Sequence, residues 1–198
     1  AGSLASSGAV DVGTGSFAIT TNDSTDGSIT FSTTLDAGSL TLDANGTNTD
    51  ISITASATIA SGGAVSLTAD DTVNFGAAGS ITASGAGNVF LQSNANSADG
   101  DGSDQIIMAD GASIDAGSGT ITLTSTGANS GNITVGELTT TNSTASAVTV
   151  TADAAIVDGG DTDVDIVATS GTINLIGATS IGSGDAIETN TAVLVLDS

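Results

Sequence analysis

A short aliphatic pair keeps returning along this chain in one frame, and in five cases another aliphatic anchor follows eight residues after its first member. The five are Ile51/Ile59, Val73/Ile81, Ile106/Ile114, Val148/Ile156 and Ile173/Ile181. A fixed internal period marks a repeat architecture, in which no single unit can bury its apolar face alone. Around these anchors, aliphatic residues alternate with Ser, Thr, Asn and Asp, the two-residue period of a strand with one wet face. β-Branched side chains and abundant Gly disfavour helix throughout.

The period resolves into coils of three short strands, about 24 residues each. First strands are expected to open at Val10, Leu35, Ile59, Ile81, Ile114, Leu138, Ile156 and Ile181. Second strands carry the inward pairs Phe17/Ile19, Leu40/Leu42, Val65/Leu67, Val89/Leu91, Ile121/Leu123, Val164/Ile166 and Val193/Val195. Third strands carry Ile29/Phe31, Ile51/Ile53, Val73/Phe75, Ile106/Met108, Ile133/Val135, Val148/Val150 and Ile173/Leu175. The fourth coil has extra residues in the loop from Asn94 to Asp104, and the sixth, Leu138 to Ala155, reads as lacking its second strand. Stacking like strands over one another predicts an all-β fold, a parallel β-helix or β-solenoid, as one domain over residues 1–198. Each coil adds about 4.8 Å, the ordinary spacing between paired strands.

Neither Ala1 nor the stretch Leu194–Ser198 resembles a cap, so the segment is expected to be uncapped at both ends. An open strand edge invites pairing, either with further coils of a longer parent chain or with copies of itself. The first residue is not Met and no charged leader follows, which predicts a processed product or an excised piece.

Composition narrows the function classes. The chain has no Lys, Arg, His, Pro, Cys, Trp or Tyr, and its 22 acidic residues give a formal charge of −22. High charge with few aromatics is also the profile of disordered chains, but the strand-period placement of the aliphatics argues for a packed core. Without cationic side chains, neither phosphate neutralisation of a nucleic acid nor docking on an anionic membrane is available. Disulfides and thiolate metal sites are excluded with cysteine. A histidine base and arginine-assisted acyl or phosphoryl transfer are excluded as well. A carboxylate-only glycosidase would need two acids flanking a cleft. Asp99/Asp101 or Asp161/Asp163 are the candidates, but no aromatic platform for sugars accompanies them, so the expectation is that the chain is not an enzyme.

The charge calls for counter-cations, and hard divalent ions take six to eight oxygens from carboxylates, amides and backbone. Calcium is therefore the expected cofactor, with copies of the chain, divalent cations and glycans as expected partners. Candidate ligands fall in three loops: Asp99, Asp101 and Asp104; Asp158, Asp161 and Asp163; and Asp43, Asn45 and Asp50. None completes an EF-hand loop, which requires a bidentate Glu at its twelfth position. Asp and Asn are equally common in solvated turns.

Two segments carry a family resemblance. Val73-Asn-Phe-Gly-Ala-Ala-Gly-Ser-Ile-Thr-Ala-Ser-Gly-Ala-Gly-Asn-Val-Phe-Leu and Gly171-Thr-Ile-Asn-Leu-Ile-Gly-Ala-Thr-Ser-Ile-Gly-Ser-Gly resemble the shaft repeats of filamentous-haemagglutinin-like exoproteins and giant bacterial surface adhesins. The resemblance covers nearly the whole chain and implies a secreted, right-handed β-helix used for length, display and adhesion. The resulting expectation is an extracellular structural protein that forms a fibre, shaft or sheath on a microbial surface. A calcium-dependent glycan-binding adhesin module is the alternative.

Overall fold

A computed structural model describes residues 4–6, 8–22, 27–59, 63–95, 104–160 and 162–198; among them every regular element is a β-strand. No helix of the described residues is long and apolar enough to cross a membrane.

After β1 (Leu4–Ala5), the first coil is β2 (Val10–Asp11), β3 (Ser16–Asn22) and β4 (Ile29–Phe31). The second is β5 (Leu35–Ala37), β6 (Ser39–Asn45) and β7 (Ile51–Ile53), and the third β8 (Ser56–Ile59), β9 (Val65–Ala69) and β10 (Val73–Phe75). β11 (Ser80–Ala83), β12 (Val89–Ser93) and β13 (Asp104–Met108) make the fourth, then β14 (Ser113–Asp115), β15 (Ile121–Ser125) and β16 (Ser130–Val135) the fifth. The sixth is β17 (Glu137–Thr139), β18 (Val148–Ala152) and β19 (Ala155–Asp158). In the seventh, β20 (Ile166–Gly177) runs through the first and second positions before β21 (Ser180–Ile181), and β22 (Thr189–Asp197) repeats that course.

All strand pairings are parallel. The third strands form one eight-stranded sheet from β1 to β21, whereas first and second strands belong to a fourteen-stranded sheet joined through β20. Pairing puts like residues over like. Ile29, Ile51, Val73 and Ile106 share a column that continues through Ile133, Ile156 and Ile181. Phe17, Leu40, Val65, Val89, Ile121, Val148, Ile173 and Leu194 make a second column. The inward members merge into one core running along the stack, and Phe17 meets Phe31 edge to face with ring centroids 5.5 Å apart.

The register corrects the expected assignments at two places. In the third coil Ala57 lies opposite Leu35 and Ile81, while Ile59 faces Ala37 and Ala83. A small side chain thus occupies a position where the neighbouring coils carry large ones, and the nearest large aliphatic misleads. Beyond Leu138 the expected frame is off by one strand. Val148/Val150 and Ile173/Leu175 are second-strand pairs, Ile156 and Ile181 belong to third strands, and Ile166 opens a first strand opposite Leu138. Val164 precedes β20 and is exposed. Val193 and Val195 sit opposite Thr172 and Asn174, leaving Leu194 and Leu196 to continue the inner columns. The sixth coil therefore has its second strand, β18. The slip has a physical cause: in β19 an aspartate, Asp158, takes the place held by Val135 in the coil before, so the third-strand pair loses its aliphatic signature.

Corners use local devices. Asp11 and Asp115 each accept the N–H two residues on, from Gly13 and Gly117, at 2.8 Å, and both glycines have φ 57°. That left-handed backbone is one a glycine adopts without strain. Close approach governs other positions of this same corner, between first and second strands: a methyl at Gly119 would overlap the carbonyl oxygen of Gly87, and one at Gly63 that of Gly38. Buried hydroxyls plug the interior of corners as well. Thr49 donates to the carbonyls of Ala44 (2.7 Å) and Gly46 (3.0 Å), and Thr140 to that of Gly119 (2.6 Å). Replacing Gly119 with Ala forces the two coils apart and is expected to cost about 1–3 kcal/mol, the range for overpacking, measured as a lower urea midpoint. The same change at exposed Gly8, where a methyl meets nothing within 4 Å, is expected to cost far less.

Candidate functional site

Because the only ionisable side chains are acidic, any site in this molecule is built from carboxylates and the polar groups around them. Apart from those such as Asp11 and Asp115 that cap the turn from first to second strand, they gather at the other two corners.

At the corner between second and third strands, Asp43 is outward-facing on β6, opposite Thr68 of the next coil. Asn45 turns its amide toward it, donating from Nδ2 to Asp43 Oδ2 at 3.0 Å. Asp70 of the next coil accepts the N–H of Gly46 at 2.6 Å on Oδ2 and is itself buried. Burial, and then the charge of Asp70, raise the Asp43 carboxyl above its ordinary value, against the hydrogen bond from Asn45. Asp50 does different work: its Oδ1 accepts the N–H of Thr72 (3.2 Å) and its own N–H reaches Ser28 Oγ (3.3 Å), linking three successive coils. Of the expected loop set, Asp43 and Asn45 are in contact and Asp50 acts as an inter-coil tie. The neighbour of Asp43 that sequence reasoning missed is Asp70. Its signal is present only once the coil register is known, since Asp43 and Asp70 are far apart in the chain.

Farther along the same corner, Asp104 opens β13 with its side chain fully buried, and its carbonyl accepts a hydrogen bond from Ser125 Oγ at 2.9 Å. Asp99 and Asp101 lie outside the described residues, as does Asp161.

The second acidic group is at the corner from third to first strand. Asp158 closes β19 in an inward position, and both of its carboxylate oxygens are sealed from solvent without a hydrogen-bond donor. Asp163 is exposed on the following loop, so these two members of the expected set face opposite environments. Asp165, next to β20, is only 2% exposed, and its Oδ2 accepts the N–H of Glu188 at 2.7 Å. Burial first, and then the charge of Asp158, push Asp165 up to about 7, despite the opposing pull of the Glu188 N–H. Glu188 gives no sequence signal of its own; it arrives here because it precedes β22 as Asp165 precedes β20.

Among the described residues, no group of three or more acidic side chains is arranged to hold a metal ion. No family model, curated protein or solved structure matches this chain.

The sign of the Asp43 shift gives a test. A carboxyl held above its unfolded value of 3.8 favours the protonated fold, so its contribution is complete below that pH and declines as pH rises through the raised folded value. Asp43→Asn removes the charge while keeping the shape. Urea denaturation is expected to show a higher midpoint than wild type at about pH 7, and the two curves are expected to coincide at about pH 2.5, where the aspartate is protonated.

Proposed function

We propose that this chain is a structural segment of an extracellular fibre, shaft or sheath on a microbial surface, continued at its end faces by further coils of a longer solenoid or by copies of itself. The observation that carries the reading is the state of the inner columns at the terminal coils. Leu194 and Leu196 extend the columns of Ile173 and Leu175, yet they are 42% and 58% exposed. At the other end Val10, Phe17 and Ile19 are only partly buried, and with Phe31 they line a hollow of about 170 Å3. Core-type side chains in register with a buried column are what the next coil would cover, whether it comes from the same chain or from a second copy.

The flanks fit the same role. Outward positions on the strands are mostly Thr, Ser, Asn and Asp, with isolated apolar residues such as Ile107 and Phe90. Isolated apolar residues of that kind are normal on any protein surface and need no partner. With 22 acidic groups and no cationic side chain, lateral contact between rods is opposed by repulsion while axial stacking buries apolar area. A chain without Lys or Arg also offers trypsin-like proteases no cleavage site, which suits exposure outside a cell.

Electron microscopy and fibre diffraction test this directly. The expected result is rods or filaments whose axial reflection falls near 4.8 Å, the spacing of stacked parallel strands. Compact particles that stay monomeric at high concentration and high salt, where repulsion between acidic surfaces is screened, would overturn it. Leu194→Asp and Leu196→Asp together are expected to abolish association of this segment while leaving its circular dichroism unchanged.

A further inference from the structure

The two end faces of the stack are steps of opposite sense. Among the described residues the stack starts on a third strand, β1, which stands one level before β2 and β3. It finishes on β22, which fills the first and second positions of an eighth coil with no third strand beyond β21. Each of the three positions is filled eight times, β20 and β22 each counting as a first and a second strand. The strand that the last coil lacks is therefore the one that protrudes ahead of the first.

The faces also match column by column. Thr189 ends the column that Val10 begins, and Ile181 ends the one that starts at the position of Leu4. Leu194 and Leu196 end the columns of Phe17 and Ile19. Exposed leucines at one end thus answer the hollow bounded by Val10, Phe17, Ile19 and Phe31 at the other. Backbone polarity agrees. The N–H groups of Leu40, Val65, Val89 and Ile121 each donate, at 2.8–3.0 Å, to the residue before the next column member in the following coil. Leu194 holds that position in the last coil, and the matching acceptor at the other end is the carbonyl of Ser16.

We propose that a second copy of this chain docks head to tail in this register: its β1 supplies the third strand of the eighth coil, and its β2 and β3 pair with β22. The proposal rests on the fibre reading above and commits the end faces to each other as partners.

Charge permits the joint. Continuing the register puts Asn190 opposite Asp11 of the second copy, Val193 opposite Ser16, Val195 opposite Ala18 and Asp197 opposite Thr20. No carboxylate faces another directly. Like charges directly opposite one another are destabilising, and the stack already contains such a pair in Asp11 and Asp36. In this respect the joint is milder than a junction the fold itself tolerates.

Amide hydrogen exchange of the unmodified chain reads the joint, comparing dilute solution with concentrated solution in about 1 M salt, where surface repulsion is screened. On assembly, exchange at the Leu194 amide is expected to slow at least about tenfold while that at mid-stack Leu123 stays unchanged. Because the chain has no cysteine, Ala18→Cys and Val195→Cys, both at exposed outward positions, can each carry one nitroxide label. Mixing the two labelled chains is expected to broaden the electron paramagnetic resonance spectrum, since facing strands are about 4.8 Å apart. Each labelled chain alone is expected to stay sharp, because like labels along a rod recur every eight coils, on the order of 40 Å. Rods in which Leu194 still exchanges fast would overturn the joint and leave the fibre reading standing. So would broadening in the Ala18→Cys chain alone, the mark of two like faces meeting. Particles that remain single would sink both. The exchange measurement on unmodified chain decides the matter even if a labelled variant fails to assemble.

Discussion

The whole structure depends on the parallel pairing of each coil with the coils before and after it. Nearly every strand here is only two to seven residues long, far too short to persist alone, and among the described residues no strand pairs with another in its own turn of the chain. Backbone donors and acceptors are satisfied along the stack axis, so the same stacking that closes the hydrogen bonds also brings Ile51 over Ile29 and Val73 over Ile51. Burial and pairing are therefore one event. A coil outside its stack would lose both at once, which is the defining property of solenoid stability.

Charge has to be accommodated within that frame, and the chain has only one sign of it. Most carboxylates sit at turns, where water screens them. Several do structural work there by accepting backbone N–H groups, as Asp11, Asp70 and Asp115 do from Gly13, Gly46 and Gly117. A repeat that stacks equivalent corners also stacks their charges, which is how Asp43 comes to lie beside Asp70 and Asp165 beside Glu188. Neutral hydroxyls serve elsewhere: Thr49, Ser125 and Thr140, in the second, fifth and sixth coils, are buried and donate to carbonyls.

Much of the fold was legible from the aliphatic period alone, including the three-strand coil, the parallel stack and the columns through Ile29, Ile51, Val73 and Ile106. Legibility failed where a column member was not aliphatic. Ala57 concealed the register of the third coil, and Asp158 concealed the third strand of the sixth, which carried the error through Ile173 and Ile181. The acidic corners were harder for a different reason. Proximity in a solenoid is set by the distance from one coil to the next, so the carboxylate whose charge acts on Asp43, Asp70, is on another coil and not in its own Asp-rich loop. Asp165 lies in a loop that reads as a cluster of turn residues, and only its depth in the corner distinguishes it from exposed Asp163.

The restriction of contacts to adjacent turns has an evolutionary corollary. Duplicating or deleting one entire turn would leave the inner columns continuous, because among the described residues each strand pairs only with strands of adjacent coils. The chain between β12 and β13 is longer than at the equivalent place in the other coils, yet Val73 and Ile106 keep their pairing, so extra length at a corner is compatible with an unbroken column. Such a molecule can change its length by whole turns and its decoration by loops, two kinds of variation that do not interfere with each other.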